Sequence, residues 1–186
     1  MNDQLWWHVA RSSGIVSWAL LSVAVILGLL LASRIGGKTP PPAWLLGLHR
    51  MLGGLTVAFV AVHVAGLWLD DFVQFGIADL LVPFVSDWRP GAVAAGIVGL
   101  YLLLAVQVTS LLMKRLPKRL WRHVHMSSYV LFWLAAVHGA LAGTDAGHPA
   151  YVIGSFASIV VVLFLTVFRL LTPRRSARRA PAASPG

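Results

Sequence analysis

The sequence predicts an all-α integral membrane protein: a bundle of five transmembrane helices, N-terminus outside and C-terminus inside, with a short interfacial helix in the 70–90 loop. Three observations predict it. The 186 residues are 58% hydrophobic and 11% charged, where soluble domains carry about 25% charged residues. Five apolar runs reach the ~20 residues needed to cross a hydrocarbon core of roughly 30 Å. The charges are segregated between alternate connections, as the two sides of a membrane require.

The predicted spans are about 13–33, 44–69, 91–113, 121–142 and 151–171. The first lacks a basic leading segment, is too long for a signal-peptide core and is followed by Arg34 and Lys38, so it reads as a retained span. GGKTPPP (36–42) is a turn, because its prolines cannot continue a helix. The long connection DDFVQFGIADLLVPFVSDWRP (70–90) is apolar enough for a short helix in the outer interface, with Trp68 and Trp88 at headgroup level. RLPKRLW (115–121) is a tight basic loop in which Pro117 opens the fourth span. The tail PRRSARRAPAASPG (173–186) is polar, proline-rich and expected to be a disordered basic cytoplasmic segment, which leaves 1–172 as the membrane domain. No sequence repeat, glycine-rich phosphate loop or second soluble domain is evident.

Orientation follows from the basic residues. Arg34 and Lys38 share one side with Lys114, Arg115, Lys118, Arg119 and Arg122, and with Arg174, Arg175, Arg178 and Arg179. That side is the cytoplasm. All six acids (Asp3, Asp70, Asp71, Asp79, Asp87 and Asp145) fall opposite. The net charge of +9 is therefore a topology signal that also meets anionic headgroups, and a nucleic-acid role is not indicated. The absence of cysteine excludes disulfides, thiolate metal sites and iron–sulfur clusters.

Chemistry concentrates in histidines placed within the spans. In LHRMLGGLTVAFVAVHVAG (48–66), His49, Gly53, Thr56, Val60 and His63 fall near one line of a helix. Fourteen residues of rise separate the two imidazoles by roughly 21 Å. HVHMSSYVLFWLAAVHG (123–139) adds His123, His125 and His138. Both segments run from inside to outside, so His49 shares the inner depth with His123 or His125, and His63 shares the outer depth with His138. One imidazole from each of two helices at each of two levels is the geometry of two stacked bis-histidine haems, suited to electron transfer. Taken singly, each histidine has an ordinary interfacial or hydrogen-bonded reading. Zinc is less natural, since each level offers only two imidazoles. His8 and His148 are expected at the surface, and Gly53–Gly54 has helix packing as its competing role.

LHRMLGG with HVAG fourteen residues after its histidine, followed by LWRHVHMSSY and then VHG, resembles the ferric reductase-like transmembrane domain family. This is the haem-bearing membrane module of NADPH oxidases and ferric reductases, and it is similar to the bacterial haem subunit serving methionine sulfoxide reductase. The resemblance implies b-type haems held by His49 and His125 inside and by His63 and His138 outside. Simple helix geometry favours His123 over His125, because thirteen residues turn a helix by about 140° from its starting face. His123 therefore stays as the alternative inner ligand. Oxidase-type members have six spans and a flavin and nicotinamide module, whereas this chain shows five spans and a basic tail. The expectation is the haem-binding membrane component of an oxidoreductase without its own flavin or nicotinamide domain, in the cell membrane. Its donor would be a flavoprotein carrying FMN or FAD, or a quinol. Its acceptor would be external: ferric iron, oxygen or a redox partner. Arg50 is the candidate for haem propionates or flavin phosphates. Lys118 and Arg122 have the same possible role with positive-inside anchoring as the simpler reading, and Ser127, Ser128 and Tyr129 are candidate supporting groups. The rival class is a non-redox assembly or transport subunit with structural or proton-relaying histidines.

Overall fold

The computed structural model describes residues 4–33, 41–71 and 73–172. The expectations placed on Asp3, on Arg34 and Lys38, on most of the proline turn and on the basic tail lie outside these. The described residues form seven helices: α1 (Leu5–Ser33), α2 (Pro42–Leu69), α3 (Ile77–Leu81), α4 (Pro90–Leu111), α5 (Lys118–Met126), α6 (Ser128–Ala142) and α7 (Pro149–Leu171). Counting α5 and α6 as one crossing, five segments are long and apolar enough to span a membrane. Proline stands at the start of α2, α4 and α7. There its missing amide costs nothing and its fixed φ suits a first turn.

Two boundaries differ from the hydropathy reading, each for a local reason. α1 begins at Leu5 rather than near residue 13. The polar residues that mask this extension are satisfied within the fold: Ser12 Oγ donates to the His8 carbonyl at 2.7 Å, Ser13 Oγ to the Val9 carbonyl at 2.5 Å, and Arg11 pairs with Asp145. The fourth span is not one helix. The Ser127 amide bonds the carbonyl of Val124, three residues back, and its hydroxyl donates to the same carbonyl at 2.6 Å. That tight turn ends α5, and α6 restarts when Leu131 donates to the Ser127 carbonyl.

Among its described residues the 70–90 connection holds the five-residue α3, and it folds back on α4. Phe75 is buried with Val93 and Ile97, and Trp88 packs edge-on against Phe75 at 5.9 Å. Trp88 is thus tucked under the connection, whereas Trp68 is exposed. The Tyr101 hydroxyl donates to the Leu81 carbonyl and ties α3 to α4.

α1 is the central post. It packs along α2 and also meets α6 and α7, while α4 packs against α6. Ala10, Ser13, Ser17, Leu21 and Ala24 are buried along one stripe at three- and four-residue spacing, and Ser22 and Leu29 are buried on another face. Small residues let the backbones close up, the usual basis of helix association in lipid. A β-carbon on Gly66 would lie 3.0 Å from the Ala10 amide nitrogen. Trp18 stacks on Phe132 at 5.0 Å, beside a cluster of Leu29, Val162 and Leu165 that joins α1, α6 and α7. Helices α1, α2, α4 and α6 close a ring whose thinnest seam is α2 against α4. The histidines look into that ring.

Candidate functional site: two facing histidine pairs

His49 and His63 stand on α2, His125 on α5 and His138 on α6. The fold pairs them by depth. His49 faces His125 with ring centroids 6.0 Å apart, and His63 faces His138 at 6.3 Å. In both pairs the ring planes are close to perpendicular, at 70° and 81°. An imidazole nitrogen sits about 2.0–2.1 Å from a bound metal, so two rings on opposite sides of one ion have centroids about 6 Å apart. His123 is exposed, on another face of α5 from His125. His125 meets His49 and His138 meets His63 despite the spacing of thirteen, and the turn at Ser127 lies between His125 and His138.

Each ring is held from behind. His63 Nδ1 donates to the Ala10 carbonyl at 2.7 Å, His49 Nδ1 to the Ala24 carbonyl at 2.9 Å, and His138 Nδ1 to the Ala92 carbonyl at 2.8 Å. A carbonyl can only accept, so Nδ1 carries the proton and Nε2 keeps its lone pair. Four residues after each alanine comes a glycine against the same ring. A β-carbon on Gly14 would lie 3.0 Å from the His63 ring, one on Gly28 3.3 Å from His49, and one on Gly96 2.7 Å from His138. The motif is Ala-x-x-x-Gly, written ARSSG, AVILG and AVAAG. The glycine opens the helix flank and the alanine carbonyl one turn earlier takes the imidazole proton. Two of these cradles lie fourteen residues apart on α1, matching the spacing of His49 and His63 on the antiparallel α2. The earlier finding of no sequence repeat needs this correction: a short cradle recurs, hidden because alanine and glycine are common in spans.

The fourth ring is held differently. His125 Nδ1 lies 3.4 Å from Ser110 Oγ of α4, and the ring stacks on Trp121 at 5.1 Å. Of the other predicted residues, Arg50 is exposed and reaches Met113 Sδ at 3.8 Å. Gly53 does not line an open face; the Gln107 side chain of α4 lies against it, 3.3 Å from where a β-carbon would be. Thr56 is buried and donates to the Leu52 carbonyl at 2.8 Å. Gln107, Ser110 and the three glycines are the residues that the histidine pattern did not point to.

A cavity of about 230 Å³ opens between His63 and His138 and runs inward past Thr56, Leu103 and Leu131. Its walls are almost wholly apolar, with Arg11 and Asp145 among the few charged side chains that line it. Among the described residues no three metal-binding side chains converge. Residues 13–136 match the ferric reductase-like transmembrane component. The chain belongs to that family. The match takes in α1 from Ser13 onward, both α2 histidines and His125, and ends just before His138. This ferric reductase-like chain is also similar to the haem-binding subunit of protein-methionine-sulfoxide reductase, MsrQ, from Herminiimonas arsenicoxydans. The two are 28% identical over 182 residues, covering 95% of this chain and 77% of the relative. No solved structure matches the chain. The ferric reductase-like chain is therefore a multi-pass membrane protein of a membrane electron-transfer family.

Proposed function

We propose that this protein is a transmembrane b-type di-haem electron-transfer component, with His49 and His125 binding one haem iron and His63 and His138 the other. The observation that carries the reading is the pair of facing imidazoles at each level, with centroid separations of 6.0 and 6.3 Å. Two further features favour haem. The cavity between His63 and His138 is apolar, as a porphyrin face requires. At the other level the Trp121 indole nitrogen is buried without a hydrogen-bond partner, a donor ready for a polar group of a bound cofactor. When bound, haem supplies a one-electron iron centre at each level.

The chain's own part is to hold and insulate. Nδ1–H bonds to backbone carbonyls fix the tautomer and orientation of three imidazoles and raise their basicity as ligands. The apolar ring of helices excludes water. With both imidazoles of each level held as ligands, the arrangement would serve electron transfer rather than oxygen binding. With the orientation predicted from charge, the His49 level lies towards the cytoplasm and the His63 level towards the outside. The donor is then a cytoplasmic flavoprotein or a membrane quinol, and the acceptor an external redox partner, ferric iron or oxygen. Arg50, at the cytoplasmic level, is placed for contact with an anionic group of cofactor or donor.

An absorption spectrum of protein expressed with ample haem tests this. A b-type spectrum at about two haems per chain is expected; colourless protein would end the redox reading. His63→Ala should lose one haem and keep the other, and retention of both would reject the pairing by depth.

A further inference from the structure

The α4 cradle for His138 is Ala92 and Gly96. Fourteen residues further along the same helix stand Val106 and Ser110, one turn apart, with Ser110 against His125. They occupy the place of a fourth cradle, with serine where the other three have glycine. The three cradled rings reach carbonyls at 2.7 to 2.9 Å. His125 instead has the Ser110 hydroxyl at 3.4 Å. Serine thus puts a β-carbon and a hydroxyl where the other three cradles have only hydrogen, and its Oγ is a longer and weaker acceptor than their carbonyls.

We propose that Ser110 is a positioning residue for His125 and makes the haem of the His49–His125 level the higher-potential one of the two. The inference rests on the two-haem reading above. An imidazole whose Nδ1–H is strongly bonded is a more basic ligand and favours oxidised iron. At the His63–His138 level both rings have such a bond; at the other level only His49 does. Less electron donation from His125 leaves that iron easier to reduce, since hydrogen bonding around the ligands tunes haem potential. The electron therefore rests at the His49 level.

Potentiometric titration of the purified haem-loaded protein, followed by absorbance, tests the proposal. The wave that survives in His63→Ala identifies the His49–His125 haem, and it should be the higher of the two wild-type waves. Ser110→Ala removes the acceptor and should move that wave further up. Ser110→Gly rebuilds the cradle and should move it down, towards the other wave. The second wave should stay in place in both variants, which also reports an intact fold. If neither variant moves the wave, or both move it the same way, Ser110 has no such role while the two-haem reading stands. A preparation with one haem per chain or none overturns that reading and the inference with it.

Discussion

At Gly96 a methyl group decides where the His138 ring can sit, because a β-carbon there would lie 2.7 Å from Nδ1. The nearest ring atom would lie 3.0 Å away at Gly14 and 3.3 Å away at Gly28. The tightest of these contacts cannot be absorbed without moving the ring or the helix. Alanine substitution should therefore weaken haem retention in the order Gly96, Gly14, Gly28. Removing the support behind a metal-bound histidine typically costs about 10–100-fold in affinity, and Gly96→Ala is expected within that range. Haem content after graded exposure to apomyoglobin measures it. An unchanged content in Gly96→Ala would show that the ring has room to shift. Residues at this scale were unevenly legible in the sequence. Histidines within apolar spans stand out by type, and their depth follows from helix rise. The glycines behind them do not stand out, because glycine in a membrane helix has a general packing use. Ser110 and Gln107 are similarly quiet: a polar residue on α4 has no visible partner until α2 and α5 are laid beside it.

Among the elements, α1 with α2 and α4 with α5–α6 are two versions of one device: a cradle helix and an antiparallel histidine helix. The registers show it, with Ala10 to His63 and Ala24 to His49 in the first, and Ala92 to His138 in the second. Hydropathy legibly marked the long helices, whereas their pairing depended on contacts between distant residues. The same is true of the ion pair that pins the start of α1 to the α6–α7 connection, where Arg11 bonds both carboxylate oxygens of Asp145. Arg11 holds the Asp145 carboxyl below its ordinary value of 3.8. A carboxyl lowered in the folded state contributes stability that is present above its unfolded value and lost as the pH falls through the folded one. Thermal unfolding in detergent should accordingly lose this contribution in acid below that ordinary value, and Asp145→Asn should flatten that part of the profile. The pair is partly exposed, with side-chain exposures of 36% and 21%, so the effect is modest and shrinks in high salt. A profile identical in Asp145→Asn would show that the pin contributes nothing.

Over the whole molecule, four helices enclose the two histidine levels, and α7 lies outside the ring against α1. Large apolar side chains of α7, such as Ile153, Phe156 and Phe164, remain exposed on the isolated chain, as a surface solvated by lipid tails should be. The five-span architecture was readable from composition and run length. That the His125 ring rather than that of His123 faces His49 was not, because it depends on how α5 and α6 meet at Ser127, and hydropathy averages across such a junction. That junction also divides the two histidine helices in their tolerance of changed length. On α2 the stretch from His49 to His63 is one uninterrupted helix, so a single inserted residue would swing one ring by about 100° from its partner. At Ser127 the backbone stays in the αR region but the hydrogen-bond ladder is already interrupted by a tighter turn, the place where an extra residue is most readily taken up. Inserting one alanine after Ser127 should therefore leave both haems bound, while the same insertion after Ala58 should cost one of them. The molecule's two walls would then differ in kind: α2 keeps fixed phase between its ends, and the opposite wall carries an adjustable joint.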